Sequence, residues 1–369
     1  MDPLRHPTLP DGIRSRMVPG INGLTMHVLE AGEARRPALL LLHGFPELAY
    51  SWRKVMLPLA AMGFHVVAPD QRGYGRTIGW DDSYDADLRP FAMLNLVRDQ
   101  LALLAALGID AVHAVIGHDF GSPVAAHCAL VRPDVFRRVA MMSAPFAGAP
   151  ALGSSHRAPA REIGAALAAL PRPRKHYHWY YATRPANGDL MACPQGLHAF
   201  FRAYYHHKSG DWAGNDVAPL KGWTAEELAR LPTYYVMDLA ETMAETVAHE
   251  MPTPAQIAAC AWMTGAEMAV YAEEYGRSGF QGGLNGYRTR FNAANLEMEA
   301  FAGRRIAVPA TFIGGARDWG VQQAPGALGR METEATSDWH GTHLVPGAGH
   351  WVQQEAPNET VALLRGFLA

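Results

Sequence analysis

Asp119 sits in Gly117-His118-Asp119-Phe120-Gly121, directly after an apolar run and directly before a helical one. Small residues two places before and two places after a polar side chain permit a sharp, strained strand-to-helix turn. Such a turn lifts the central side chain above a sheet, beside the N-terminus of the next helix. Serine is the usual occupant; a carboxylate there needs no base to be a nucleophile at neutral pH. It attacks a carbon that bears a leaving group, not a carbonyl, and leaves an alkyl ester on the protein. A helix cap is the plain alternative for the pentapeptide alone. Two further groups weigh against it. Asp318 ends Gly314-Gly315-Ala316-Arg317-Asp318, and His350 lies in Gly347-Ala348-Gly349-His350-Trp351, each just after another apolar run. In that order Asp318 orients the imidazole and stabilises its charged form, and His350 deprotonates a water that attacks the ester. His43-Gly44-Phe45-Pro46-Glu47 follows the first such run. The amides of Phe45 and Phe120 are expected to donate to the oxyanion that forms when the ester carbon becomes tetrahedral. The Phe45–Pro46 bond is expected to be cis, and Glu47 to be structural.

These groups need a scaffold that ends several strands on one side. The runs 38–44, 64–70, 111–117 and 136–145 read as strands, with helices at about 91–107 and 121–131 between them. This alternation gives a mostly parallel sheet with helices on both faces, an α/β fold in which ligands bind beyond the carboxyl ends of the strands. The rhythm stops at about residue 147. From there to 304 the patterns are helical, rich in Trp, Tyr, His and Met, with no clear buried strand. Strand signals resume at 308–318 and 342–350, and a helix closes the chain at 357–368. The expected division is a core in two parts, 1–146 and 305–369, with a helical lid, 147–304, inserted above the strand ends.

Composition narrows the function class. The 369 residues are 49% apolar and 18% charged, with a net charge of −3, so no basic surplus points to nucleic acid. The three cysteines, Cys128, Cys193 and Cys260, are scattered and form no CxxC; with no apolar leader run, a cytoplasmic setting is expected. The longest apolar run is too short to span a bilayer. The histidines His206-His207 and His340 with His343 lack a third ligand at metal spacing, so neither metal nor cofactor is expected.

Taken together, HGFPE (43–47), DQRGYGRT (70–77), GHDFG (117–121), SGFQGGLNGYR (278–288), GARD (315–318) and GAGHW (347–351) resemble the soluble-type epoxide hydrolases of the α/β-hydrolase superfamily, over nearly the whole chain. The resemblance implies an α/β-hydrolase core with a helical cap, and hydrolysis of an epoxide to a vicinal diol through an ester on Asp119. It also implies two lid tyrosines that hold and protonate the epoxide oxygen. One precedes an arginine and matches Tyr287; the other matches Tyr177, with Tyr180 and Tyr181 as neighbouring alternatives. His178, Trp179, Pro46 and Trp351 are the substrate-pocket candidates, and the aromatic lid suggests a small apolar epoxide. A homo-oligomer is compatible with the sequence. Two departures stand out. Tyr177 and Tyr287 are 110 positions apart, long for that family. His178-Trp179 is also similar to the halide-binding pair of fluoroacetate dehalogenases, which share an Asp nucleophile. Those enzymes carry arginines after the nucleophile, where this chain has Phe120 and Pro123, and take their triad acid from the place of Ser143. A dehalogenase, or a non-catalytic binding protein that kept the pocket, is the remaining alternative.

Overall fold

The computed structural model describes residues 1–153 and 158–369. Eight strands form one sheet: β1 (Arg14–Ile21), β2 (Leu24–Ala31), β3 (Ala38–Leu42), β4 (His65–Pro69), β5 (Val112–His118), β6 (Val139–Met142), β9 (Ala310–Gly315) and β10 (Trp339–Val345). The two remaining strands, β7 (Arg174–His176) and β8 (Val236–Asp238), pair with each other in the insert. The order in the large sheet is β1-β2-β4-β3-β5-β6-β9-β10, parallel from β4 through β10 and antiparallel at β1, β2 and the β2–β4 pair.

The central strands are apolar on both faces because both faces are covered. Along β3, Leu40 and Leu42 enter one core with α2 (Met93–Ala106) and α3 (Gly121–Val131), while Leu39 and Leu41 enter another with α1 (Arg53–Ala61) and the closing Pro357–Leu368 helix. That alternation is the two-residue period of a strand. A third cluster joins the insert to the core, through Phe45, Tyr74 and Trp351 among others, and is dominated by rings, among them Tyr177, Tyr181, Phe201, Tyr204, Tyr235 and Tyr287.

Several elements differ from the sequence reading. The β1–β2 hairpin escaped it, although Asn22-Gly23 sits at its tip with φ of 48° and 85°, the signature of a tight two-residue turn. β1 is polar and contains Pro19, which suits an edge strand and hides its alternation. The β7–β8 ribbon, three residues a side, was expected to be helical; Arg-Lys-His and Val-Met-Asp are too short and too polar to show a period. The strands read at 136–145 and 342–350 run instead over Val139–Met142 and Trp339–Val345. The apolar letters beyond each strand end belong to loops, and those loops carry the chemistry.

Candidate active site

The loop after β5 turns at Asp119, whose φ of 50° is a left-handed value that a non-glycine residue adopts only under constraint. Its flanking glycines supply the constraint. A Cβ on Gly121 would fall on the carbonyl oxygen of Leu42, and one on Gly117 on the carbonyl oxygen of Gly121, far inside van der Waals contact. Helix α3 therefore begins pressed against the end of β3, and the Asp119 side chain projects above the sheet. The Phe45 amide donates to Asp119 Oδ1 at 2.8 Å, and the Phe45–Pro46 peptide is cis. Phe120 caps α3, and among the described residues its amide makes no hydrogen bond to the Asp119 carboxylate.

His350 stands between two carboxylates. Its Nδ1 is 3.0 Å from Asp318 Oδ1, and its Nε2 is 3.3 Å from Asp119 Oδ2, an ion-pair distance without the alignment of a formed hydrogen bond. Asp318 Oδ1 also accepts from the Gly320 amide at 2.7 Å. The strand ends thus bring Asp119, Asp318 and His350 together, all buried. Burial opposes the charge on Asp119, but the close contact and charge of His350, with the charges of Lys208 and His118, overcome it and hold the carboxyl well below the ordinary range. Asp318 is likewise lowered: burial opposes its charge, while the His350 charge and hydrogen bond favour it. Burial and the Lys208 ammonium pull the His350 pKa down; Asp318 and the Asp119 contact pull it up and prevail.

Beneath the histidine lies a second buried network. His118 Nδ1 meets Glu47 Oε2 at 2.5 Å, and His118 Nε2 is 2.7 Å from the carbonyl of His350. Glu47 also accepts from the Gly44 amide at 3.0 Å and from Gln353 at 2.9 Å. Removing one member of such a buried pair strands the other, a cost of about 3–5 kcal/mol, so Glu47 fits a structural part.

The lid brings phenols over the carboxylate. Tyr177 opens the short Tyr177–Tyr181 helix and Tyr287 lies near the end of the Gln281–Arg288 helix; their ring centroids are 5.8 Å apart. Tyr287 also packs on Phe45 at 5.4 Å and on Tyr181 at 5.0 Å. Tyr177 donates to Gln323 Oε1 at 3.0 Å, while the Tyr287 hydroxyl has no hydrogen-bond partner among the described residues. Burial raises both phenol pKa values well above the ordinary one. The next contribution at Tyr177 comes from Asp119, and at Tyr287 from Tyr177 and then Asp119. Both therefore carry a proton at neutral pH. Tyr180 points elsewhere, donating to Asp189 at 3.0 Å beneath the Lys175 ammonium. Tyr181 faces Phe45 and Tyr287.

A cavity of about 640 Å³ is lined by Phe120, Phe146, His178, Trp179 and Met298, with Arg290 among the lining residues; its wall takes in the chain neighbours of Asp119, Tyr177 and Tyr287 but not those three side chains. His178 and Trp179 are half-buried there, as a pocket wall would be. Burial, with Arg290 and His176 nearby, drives the His178 pKa well down, so this imidazole is neutral. Pro46 and Trp351 do not line the cavity. Trp351 is buried and stacked on Tyr205 at 4.0 Å, and its indole donates to the Tyr205 carbonyl.

Three polar groups escaped the sequence reading. Gln323 meets Tyr177, as above. Glu355 accepts from the amides of Gly210, Gly349 and Trp351 at 2.8, 2.9 and 2.8 Å, pinning the insert to the histidine loop. A Cβ on Gly210 would fall on the Gly347 carbonyl, and His350 donates its own amide to the Lys208 carbonyl at 2.9 Å. Lys208 ends the Gly196–Lys208 helix, where a cation reads from sequence as an ordinary helix terminus.

A profile of the alpha/beta hydrolase fold family matches residues 37–172. Epoxide hydrolase B of Mycobacterium tuberculosis is 32% identical over 336 residues, 90% of this chain and 91% of that one. Epoxide hydrolase A of the same organism is 32% identical over 94% of this chain and 95% of its own length. Among solved structures, an epoxide hydrolase from an endophytic Streptomyces superposes with a TM-score of 0.78 at 31% identity, covering 97% of this chain and 96% of that one. Potato (Solanum tuberosum) epoxide hydrolase I does so at 0.71 and 29%, covering 96% and 99%.

Proposed function

The chain belongs to the epoxide hydrolases of the α/β-hydrolase fold, and on that premise we propose that Asp119 is the nucleophile that opens the epoxide. Asp119 Oδ2 bonds to an epoxide carbon as the carbon–oxygen bond breaks, and the freed oxygen takes a proton from Tyr177 or Tyr287. His350, oriented by Asp318, then removes a proton from water. The water oxygen adds to the Asp119 carboxyl carbon, with the Phe45 amide facing the oxyanion and the Phe120 amide proposed as its second donor. Collapse breaks the bond between the Asp119 carboxyl carbon and Oδ2, and Oδ2 takes the proton from His350 and leaves in the vicinal diol. The regenerated Asp119 carboxyl gives its proton to the solvent, in place of the one the solvent returned to the tyrosinate.

This reading is carried by the packing of Tyr287 against Phe45, whose amide donates to Asp119, and of Tyr177 against Tyr287, which gathers two protonated phenols at the elbow. An alkoxide is a strongly basic leaving group and needs an acid within reach; a halide does not. The residues after the elbow, Phe120 and Pro123, offer no cation to a halo acid, which weighs against the dehalogenase alternative. The apolar lining of the cavity, with His178 and Trp179 in its wall, supports a small apolar epoxide as substrate. No helix among the described residues is long and apolar enough to cross a membrane, and the unpaired Cys128, Cys193 and Cys260 support a cytoplasmic setting.

His350→Gln leaves alkylation possible and removes the base for the second step. Mass spectrometry of that variant after epoxide exposure is expected to find the substrate mass added to the peptide carrying Asp119. An unmodified peptide, with the wild type consuming the same epoxide, would refute the assignment.

A further inference from the structure

We propose that Lys208 is a positioning residue for the second half-reaction: its caged ammonium keeps His350 a neutral, proton-accepting imidazole once Asp119 has become an ester. The inference rests on the reading above and adds a group that the triad and the lid tyrosines do not include.

Lys208 is 2% exposed. Its ammonium lies 5.0 Å from the ring centroid of Tyr235, 5.4 Å from those of Tyr204 and Trp351, and 5.7 Å from that of Tyr234. Among the described residues no carboxylate lies within ion-pair distance of it. Burying a lone ammonium costs several kcal/mol. Four aromatic faces offset part of that, but a methionine would pack there with no such cost. The cage also adjoins the site. Trp351 meets the His350 ring at 4.6 Å, and Tyr235 meets Tyr177 at 5.1 Å. The hydrogen bond from the His350 amide to the Lys208 carbonyl fixes cation and imidazole relative to each other.

The charges around the imidazole explain what the cation does. His350 is faced by Asp119 from the elbow, by Asp318 from the loop after β9, and by His118 with its partner Glu47 from β5 and the β3 loop. Lys208, with Tyr204 and Tyr235 packed around its ammonium, acts on it from the insert. Before reaction two carboxylates favour a charged imidazole. Alkylation spends the Asp119 charge: its electron pair forms the new carbon–oxygen bond, and the epoxide oxygen leaves with the old one and collects a tyrosine proton. Once solvent has reprotonated the tyrosinate left by ring opening, Asp318 remains the near anion of the triad, and Lys208 balances it. The imidazole is released as a base, able to take a proton from water and return it to the departing Asp119-to-carbon oxygen. Without the cation the Asp318 carboxylate stands unopposed, the imidazole holds its proton to higher pH, and the ester waits.

The test is single-turnover kinetics, with alkylation and hydrolysis phases resolved across pH. The probe is the best substrate from a panel of styrene oxide, stilbene oxide and epoxyalkanes, with wild type, Lys208→Met, Lys208→Gln and Lys208→Arg. In both neutral variants the acid limb of the hydrolysis phase is expected to move up by about one pH unit, slowing hydrolysis about ten-fold below it, with the alkylation phase changed less. Lys208→Arg is expected to restore the limb. Either neutral variant, folded and with its limb at the wild-type position, would overturn the inference. So would Lys208→Arg shifting as far as Lys208→Met, or loss of fold in both neutral variants with the arginine variant intact, which would mark the cation as structural. Absence of diol from wild type across the panel would instead refute the functional reading itself.

Discussion

The strand-end loops and the insert hold their parts of the site by different physics. Around Asp119 the backbone does the positioning: β3, β5 and α3 approach so closely that Gly117 and Gly121 admit no Cβ, and the nucleophile is forced to a φ of 50°. Around Tyr177 and Tyr287 the positioning is done by rings at centroid distances of 5.0–5.8 Å, contacts that are individually weak and jointly adaptable. One region has a single arrangement or none. The other can shift by small rotations without losing its fold. Change in the first is therefore expected to be all-or-none, and change in the second graded.

The sharpest way to break that contrast is Gly121→Ala. The added methyl meets the Leu42 carbonyl rather than a side chain that could turn away, so a loss on the order of 3–5 kcal/mol is expected, with activity lost alongside; chemical denaturation measures it. A stable, active variant would show the elbow to be looser than its geometry implies. Tyr287→Phe comes next. The ring and its packing stay, the acid goes, and ring opening is expected to slow about 10²-fold or more with the melting temperature nearly unchanged. Equal alkylation rates in the two proteins would remove Tyr287 from the chemistry.

The pH dependence separates the two steps. In the free protein Asp318 and the Asp119 contact raise the His350 pKa above its ordinary 6.5. In the ester the Asp119 charge is gone, so the acid limb of ester hydrolysis is expected to lie below that raised value, with the rate dropping about ten-fold per unit of pH below the limb. Asp119 is held ionised far below that window, so the nucleophile keeps its charge across it. The two phases falling together would mean that His350 is not the base of the second step alone. The smallest effect is expected for Tyr180→Phe. Its phenol is bonded to Asp189, away from the carboxylate, so stability is expected to fall by about 1 kcal/mol with turnover unchanged. A large loss of turnover would move the proton-donor role along the helix.

The same difference explains what the sequence could show. Backbone positioning leaves letters behind: Gly117 and Gly121 around Asp119, and the glycines before Asp318 and His350, were readable because only glycine fits such approaches. Ring packing leaves composition without coordinates. The lid was visibly rich in Tyr and Trp, yet nothing in Tyr177-His178-Trp179-Tyr180-Tyr181 said which hydroxyl faces the carboxylate, since that depends on the rotation of a five-residue helix. Lys208 and Glu355 were invisible for a related reason: each completes its surroundings with a segment more than a hundred residues away, Trp351 for Lys208 and Gly210 for Glu355. The Asn22-Gly23 turn was legible and went unread because polar β1 gave it no apolar alternation to join.

The seam at Gly210, Gly349 and Glu355 bears on how this enzyme can be re-engineered. Three backbone amides from both sides of the seam converge on one carboxylate, and the backbones are packed too tightly for a side chain to intervene at Gly210. An insert transplanted from a relative would bring a different 208–210 segment against the resident 347–351 loop and displace the histidine it was meant to serve. The unit of exchange is therefore the insert together with the last eighth or so of the core, two segments far apart in the gene that have to be moved as one cassette. Substitutions in the cavity wall at Phe146, Trp179 or Met298, by contrast, leave that seam untouched.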